Sequence, residues 1–258
     1  SSLAAFSAKV PLLLQDKQHD IRTLIPKYGY VSERKYILRE VIRLREIPFE
    51  FGEENVITSA KSAFIPKTRV QVYFLEDDQR FKPLTNLIYK AKNGRVLADN
   101  DMRFAFFSKA SLAILPHLFW RPDVMWCNDW QSVLVPAFYK QQYMNDGFYA
   151  DMKSVLVVHN YEEEYLDISS NTFKNTGLEE PASIKKGVVN AYEVAAEYVD
   201  LMIAIDSPNN QVSKKLLELP AIKKKKSKLL TIKTSGEESP DYDKVAARID
   251  SGLQKLFS

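Results

Sequence analysis

The chain is poor in the residues that form disulfides and bind metal ions. Its 258 residues include one cysteine, Cys127, and three histidines. A single cysteine cannot form an internal disulfide, which favours a reducing compartment such as the cytoplasm. No histidine has a cysteine or a second histidine at ligand spacing, so we expect no metal site. Nothing in the pattern indicates a bound cofactor.

Glycine is also scarce, with eight residues. The sequence contains neither G-x-G-x-x-G nor G-x-x-x-x-G-K-[ST], so the common phosphate-binding loops are not expected within it. A G-x-S-x-G segment is absent as well, and the sequence gives no support to an α/β-hydrolase triad. Enzymes that depend on these loops are therefore poor explanations of the chain.

Neither charge nor hydropathy indicates a nucleic-acid or membrane partner. The 36 basic and 33 acidic residues leave a net charge of +3, which is too balanced for such an inference. No run of about 18 apolar residues is present, and residues 3–14 lack the basic residues that open a signal peptide. The dense basic run, residues 223–226 with Lys228, is expected to be a solvated loop, with contact to a polyanion as the alternative.

The first hundred residues predict an irregular beginning to an α/β fold. Apolar spacing predicts a helix over residues 3–18 and a strand over 21–25. Residues 37–51 and 62–75 are rich in β-branched and aromatic side chains, and they predict two to four antiparallel strands at one edge of a parallel sheet. Residues 76–100 predict a long surface loop. Because a strand normally precedes such a first helix, we expect residues before Ser1.

From residue 99 onward, strand and helix alternate. The predicted strands cover residues 124–127, 154–158, 201–205 and 229–232. The predicted helices cover residues 101–115, 130–143, 184–198 and 242–257, with a further helix opened by Pro208 and a loop over 159–180. This alternation predicts a single doubly wound, Rossmann-like parallel sheet with right-handed crossovers. No linker marks a boundary, so residues 1–258 are expected to form one domain.

Polar side chains follow three of the predicted strands at the point where each strand ends. Ligands of open parallel sheets bind outside the carboxyl ends of the strands. The residues at these ends supply carboxylate, amide, imidazole and indole groups: Asn128, Asp129, Trp130, Gln131, His159, Asn160 and Asp206. This mixture suits a sugar, whose hydroxyls need donors and acceptors and whose ring faces favour an aromatic platform.

Each of the central residues also has a purely structural interpretation. Asp129 is placed to cap the helix that follows it. His159 is placed to hold a loop, and Trp130 to fill the core. Their conjunction at neighbouring strand ends favours a ligand site over these separate roles.

Several segments resemble, in chain order, the motifs of bacterial glycogen and plant starch synthases. Residues 121–131, RPDVMWCNDWQ, resemble the "WRPDxxHxxDWQ" segment of that family, and residues 157–160, VVHN, resemble its "TxHN". Residues 99–108 resemble its "DNxxRFAFFS" helix, and residues 19–29 resemble its "HDVRxxxPxYG". Together these motifs identify the chain, to about residue 220, as similar to glycosyltransferase family five.

The resemblance implies the N-terminal Rossmann-like half of the GT-B fold. It implies a retaining transfer of glucose from ADP-glucose to the non-reducing end of an α-1,4-glucan. Asp129 and His159 are the catalytic residues that it implies, acting through hydrogen bonds to sugar hydroxyls rather than as covalent nucleophiles. The substrate-binding residues that it implies are Asn128, Trp130, Gln131, Asn160, Asp99, Asn100 and Arg103.

The chain departs from the family at both ends. Ser1 and Ser2 stand where the family has the glycines of a lysine-containing donor loop, and residues 219–258 lack its hinge and are not followed by a second GT-B domain. The first hypothesis is a stand-alone, weak or inactive homologue in glycogen metabolism. The alternatives are a non-catalytic module that binds glucan, a partner protein or a second copy; a fragment or subunit of an active glucosyltransferase; and a doubly wound domain with another ligand.

Overall fold

The computed structural model describes residues 2–66, 68–235 and 240–258. Its strands are β1 (Arg22–Pro26), β2 (Arg39–Glu40), β3 (Ile47–Phe51), β4 (Glu54–Phe64), β5 (Gln71–Glu76), β6 (Val124–Asn128), β7 (Lys153–Val158), β8 (Asp167–Ser169), β9 (Val188–Asn190), β10 (Leu201–Asp206) and β11 (Leu229–Lys233). Its helices are α1 (Ser2–Gln15), α2 (Glu33–Tyr36), α3 (Asn100–His117), α4 (Val135–Phe138), α5 (Ser170–Thr176), α6 (Ala191–Tyr198), α7 (Val212–Glu218), α8 (Pro220–Lys224) and α9 (Tyr242–Gln254).

Four parallel strands form the sheet that carries the predicted strand ends, in the order β11-β10-β7-β6. The two inner strands, β7 and β10, are apolar and β-branched, and they are buried almost throughout. Runs of this kind are typical of strands that are covered on both faces. All four strands predicted for this part of the chain are found.

Helices cover both faces of this parallel sheet, as a doubly wound fold requires. Successive residues of a strand point to opposite faces. Val155 and Val157 therefore share one apolar core with α1 and α9. Leu156 and Val158 share the other core with α3, α4 and α6.

A second sheet contains the antiparallel excursion, in the order β1-β5-β4-β2 with β3 also paired to β4. β1 runs parallel to β5, and β4 runs antiparallel to its neighbours. The excursion is as predicted, but its longest strand covers the residues between the two predicted runs. The prediction of one continuous sheet also differs from the structure, because β1 belongs to this second sheet. Within the described residues, β1 and β6 are consequently both edge strands.

Four predicted helical or loop segments differ in detail. The helix predicted over residues 184–198 begins only at Ala191, because β9 precedes it. The helix predicted over residues 130–143 is divided into a short turn, α4 and a wider turn at Tyr139–Tyr143. The loop predicted over residues 159–180 contains β8 and α5. The prediction that Pro208 opens a helix is wrong. Pro208 lies in a turn closed by hydrogen bonds between Ser207 and Asn210, and α7 begins only at residue 212.

The long segment between β5 and α3 is irregular, as predicted, with an isolated bridge between Lys90 and Val96. This segment reaches the edge of the sheet where the candidate site lies. No helix among the described residues has the length and apolar character needed to cross a membrane.

Candidate functional site

The ends of β6 and β7 bring Asn128, Asp129, His159 and Asn160 together. The two strands pair in parallel with Asn128 beside Val157. The backbone N–H of Asp129 donates to the carbonyl of Val157 at 2.9 Å. The two polar segments that follow these strands therefore lie side by side.

The side chain of Asp129 holds the two segments together. Asp129 is 3% exposed and has a φ of 48° and a ψ of −165°, a positive-φ region that residues other than glycine rarely adopt. One carboxylate oxygen accepts from the backbone N–H of His159 at 2.6 Å and of Asn160 at 3.2 Å. The carboxylate does not cap the helical turn that follows, so the capping interpretation is wrong. Backbone strain of this kind clusters at functional sites.

Burial shifts both candidate catalytic groups toward their neutral forms. It raises the pKa of Asp129 from 3.8 to about 6, although the two backbone N–H donors act in the opposite direction. It lowers the pKa of His159 from 6.5 to about 4. At pH 7 the site therefore contains an ionised Asp129 carboxylate, which is bound to the backbone of His159, and a neutral His159 imidazole.

The ring of His159 packs between Asn128 and Phe6. Its Nε2 lies 3.3 Å from Asn128 Oδ1, which also accepts from the indole N–H of Trp126 at 3.0 Å. Because an amide oxygen only accepts, the hydrogen-bond network assigns the proton to Nε2 and leaves Nδ1 as an acceptor. The ring centroid of Phe6 is 4.4 Å away. The carbonyl of His159 accepts from the Asn210 side chain at 3.1 Å, so this residue also holds a loop.

Trp130 and Gln131 face a different space, which we call the Trp130 cavity. Its volume is about 290 Å³, and neither Asp129 nor His159 lines it. Trp130 is 6% exposed, which agrees with its interpretation as a core residue. The lining residues come from the loop before α3, from α3, from the turn after β6 and from the β8–β9 hairpin: Val96, Leu97, Ala98, Asn100, Asp101, Phe104, Ser108, Trp130, Gln131, Val133, Leu134, Glu164, Tyr165, Asp167, Ile168, Ser169, Val188 and Ala191.

Asp99, Asn100 and Arg103 form a network that fixes the loop before α3. Arg103 is buried and donates to the Ile88 carbonyl at 3.2 Å and to the Asn100 side chain at 2.9 Å, and it pairs with the Asp99 carboxylate. Asn100 donates to the carbonyl of Tyr89 at 3.0 Å. Of these three predicted substrate-binding residues, Asn100 lines the Trp130 cavity, while Asp99 and Arg103 support it without lining it.

Several residues at these two places were not predicted from the sequence. Tyr89 accepts from the Gln131 side chain at 3.0 Å, and Tyr165 stacks on Trp130. Tyr192 donates from its hydroxyl to the Asn160 carbonyl at 2.8 Å. The tyrosines of the two loops have no periodic pattern around them, whereas Tyr192 lies in the predicted helix before β10.

The end of β10 has a structural role. The Asp206 carboxylate accepts from the backbone N–H of Ser213 at 2.8 Å and from its hydroxyl at 2.5 Å. These bonds fix the first turn of α7. In the described part of the chain, no group of three histidine, cysteine or acidic residues is arranged to hold a metal ion.

Comparisons with known proteins agree on one family. Residues 1–209 match the family model described as the starch synthase catalytic domain. Glycogen synthase from Chlorobium limicola is 32% identical over 205 residues, which are 78% of this chain and 42% of that protein. Glycogen synthase from Chlorobaculum tepidum is 27% identical over 224 residues, which are 86% of this chain and 45% of that protein. The chain thus spans less than half the length of these curated relatives.

A solved structure shows the same fold. The catalytic domain of starch synthase IV from Arabidopsis thaliana, bound to ADP and acarbose, matches with a TM-score of 0.72 at 19% identity. The match covers 92% of this chain and 49% of that chain. The arrangement of a parallel sheet with antiparallel strands is therefore that of a starch synthase catalytic domain.

Proposed function

Since the chain belongs to the starch synthase catalytic domain family, we propose that it is the N-terminal, sugar-binding part of an α-1,4-glucan glucosyltransferase. We propose residues 1–258 as one domain, because both apolar cores share the parallel sheet. The observation that carries the proposal is the Asp129 carboxylate, which two backbone N–H groups hold beside His159. The relatives are glycogen synthases, and the solved homologue holds ADP and acarbose. The proposed ligands of the family member described by this sequence are accordingly ADP-glucose and an α-1,4-glucan.

The geometry suits hydrogen bonding to sugar hydroxyls. An ionised carboxylate is a strong acceptor for hydroxyl groups, and Asp129 is ionised at pH 7. The neutral ring of His159 offers an acceptor at Nδ1 without adding charge. One oxygen of Asp129 already accepts two backbone donors, which reduces its tendency to attack an anomeric carbon. Both residues are therefore proposed to orient sugar hydroxyls, not to form a covalent intermediate.

Transfer by this chain alone is proposed to be weak or absent. A nucleoside diphosphate needs cationic side chains or a set of backbone N–H donors. Within the described residues, the hydrogen bonds of Asn128, Asp129, His159 and Asn160 involve no lysine or arginine. A glucan therefore has better-matched groups at these strand ends than the donor phosphates have.

The decisive assay is incorporation of glucose from labelled ADP-glucose into glycogen by the purified, folded chain. We expect little or none, together with measurable binding of malto-oligosaccharides. Asp129→Ala is expected to abolish that binding, and Asp16→Ala, at an exposed position directly after α1, serves as the matched control. Strong incorporation would contradict the weak-transfer proposal, and no binding of any glucan would contradict the proposed function.

A second candidate is a subunit or fragment of an active enzyme. The observation that favours it is length, because the chain covers 42% of one relative and 49% of the solved homologue. Addition of the C-terminal half of a related glycogen synthase tests it directly. Restored transfer that requires Asp129 supports this candidate, and unchanged background supports a non-catalytic glucan-binding module.

A further inference from the structure

The loop after β7 folds back over the Trp130 cavity. Tyr165 lies in this loop, and its ring stacks on the indole of Trp130 with centroids 5.2 Å apart and planes at 16°. The same tyrosine meets Tyr89 at 5.7 Å. One face of Trp130 is therefore covered by a side chain of the protein itself, in the geometry that an aromatic ring uses to hold the apolar face of a sugar.

On its solvent side, this loop is fastened by two ion pairs. Lys90 Nζ is 2.8 Å from the Glu164 carboxylate and 5.6 Å from the ring centroid of Tyr165. Lys215 Nζ is 4.0 Å from the Glu163 carboxylate. Exposed ion pairs contribute little to stability. Leu166 keeps the backbone of this loop in place, since it is 1% exposed and its carbonyl accepts from the backbone N–H of Ala191 at 2.7 Å. Rotation of the Tyr165 side chain away from Trp130 is then opposed by the stack and by the contacts with Tyr89 and Lys90.

The closed arrangement leaves polar atoms around the cavity without partners. Among the described residues, Ser108 Oγ, Trp130 Nε1 and Gln131 Oε1 are buried and make no hydrogen bond. All three residues line the Trp130 cavity. Buried donors and acceptors without partners are destabilising. A hydroxyl, an N–H donor and a carbonyl acceptor are the groups that a hydroxyl-rich molecule satisfies once the cover moves.

The charge and size of the cavity restrict the ligand. The acidic residues Asp101, Glu164 and Asp167 line it, and no lysine, arginine or histidine of the described part of the chain does. A phosphate group is repelled by such a lining. The volume of about 290 Å³ is at the lower end of ligand pockets, which begin at roughly 300 Å³. One uncharged ring fits these limits better than a nucleotide or a long chain.

We propose that Tyr165 is a displaceable cover over a subsite for one uncharged sugar ring, which competes with Tyr165 for the face of Trp130. The proposal rests on the proposed function only in its ligand class, since the subsite is separate from Asp129 and His159. Tyr165 sets specificity in this scheme, because a ligand that cannot replace its stacking contact cannot enter.

The test follows the indole N–H resonance of Trp130 by NMR in the whole chain, assigned by its loss in Trp130→Phe. The probe is methyl α-D-glucoside, with glucose 1-phosphate as the charged comparison. We expect the glucoside to shift the resonance and the phosphate to bind at least several-fold more weakly. Tyr165→Ala should bind the glucoside about two- to tenfold more tightly, because an aromatic pair contributes an amount of that size. The matched variant Tyr165→Phe keeps the stack and should behave as the wild type.

Each opposite result overturns the proposal. If the glucoside shifts the Trp130 resonance in neither the wild type nor Tyr165→Ala, the subsite does not exist. If Tyr165→Ala binds the glucoside as tightly as the wild type or more weakly, Tyr165 is a fixed part of the cavity wall and not a displaceable cover. If Tyr165→Ala does not fold, Tyr165→Leu keeps an apolar side chain at this position without the aromatic stack and should also strengthen binding. Asp129→Asn separates the two proposals, because it should abolish oligosaccharide binding at the strand ends and leave the glucoside shift of Trp130 in place.

Discussion

The ionisation of Asp129 and that of His159 make the free energy of unfolding depend on pH in opposite directions. The folded-state pKa of Asp129 is about 6 against an ordinary 3.8, so its contribution to stability is greatest below about pH 4 and is lost as the pH rises through 6. The folded-state pKa of His159 is about 4 against 6.5, so its contribution is present above about pH 6.5 and is lost as the pH falls to 4. Between pH 4 and 6 the stability that is lost at one residue as the pH changes is largely offset by the stability that is gained at the other.

Single substitutions should reveal the pH dependence that each residue contributes to the free energy of unfolding. In Asp129→Asn the contribution of His159 remains without that of Asp129, and the free energy of unfolding should fall on acidification from pH 6.5 to 4. In His159→Gln the contribution of Asp129 remains without that of His159, and the free energy of unfolding should rise on acidification from pH 6 to 4. Each change is on the order of 2–3 kcal/mol. Urea unfolding at a series of pH values measures both, and two profiles parallel to the wild type would show that burial does not perturb these groups.

Arg103 separates a structural role from a binding role. It is 3% exposed and bonds to Ile88 and Asn100. Lysine lacks the planar guanidinium group whose several N–H donors make these bonds. Arg103→Lys should therefore lower the free energy of unfolding by roughly 2–4 kcal/mol. Thermal unfolding measures this loss. Oligosaccharide affinity per folded molecule should stay unchanged, and a loss of affinity without a loss of stability would assign Arg103 to the ligand.

At the scale of elements, the basic run has two kinds of lysine. Lys225 Nζ donates to the carbonyls of Ala196 and Glu197 at 3.0 and 3.3 Å. Lys228 Nζ donates to the Val199 carbonyl at 3.0 Å. These bonds satisfy carbonyls at the C-terminal end of α6 and favour positive charge there. The prediction of a loop for this basic run is wrong, because Lys223 and Lys224 end α8 and Lys226–Lys228 form a 3-10 turn. The prediction that the run is solvated holds for Lys223 and Lys224, which are exposed.

A pair of double variants distinguishes the two kinds. Lys225→Met with Lys228→Met should reduce the free energy of unfolding by about 1 kcal/mol, since two helix-end contacts are lost. Lys223→Met with Lys224→Met, at exposed positions of the same run, should change it by less than about 0.5 kcal/mol. Chemical denaturation of the two double variants and the wild type provides the comparison. Equal effects would mean that only the net charge of the run matters.

The strand ends were the most predictable part of the site. β6 and β7 are apolar runs with clear ends, so the meeting of Asp129 and His159 follows from the parallel sheet alone. Tyr89 and Tyr165 come from irregular loops, and their positions depend on tertiary contacts such as Arg103 with Ile88. β4 was misplaced because polar residues such as Ser59 and Lys61 interrupt its apolar pattern at a half-exposed face. Periodicity therefore predicted the sheet that carries the site but not the loops that cover it.

At the scale of the whole molecule, the residues beyond the family match are part of the core. The family model ends at residue 209, yet Val245, Ile249 and Leu253 of α9 share an apolar core with α1 and β7. The distal helix is thus integrated with the part of the chain that carries the family motifs.

Ile249→Ala tests this integration. Ile249 is 0% exposed, so its truncation should cost roughly 2–4 kcal/mol. Arg248→Ala, at the exposed neighbouring position, should cost less than about 0.5 kcal/mol. A single cooperative unfolding transition that shifts as a whole in Ile249→Ala is the expected result. A separate early transition would instead show that α9 unfolds independently.

The division of the strands into two sheets has a consequence for the exchange of backbone hydrogens with deuterated water. Among the residues that the structure describes, β1 and β6 each bond to a strand on one side only, so the amides that point away from β5 and from β7 have no ladder partner there. Amides without such a partner exchange by small local openings, whereas those of β7 and β10 exchange only in near-global unfolding. Protection should therefore be high in β7 and β10 and should alternate from residue to residue along β1 and β6, as it does at the rim of a sheet.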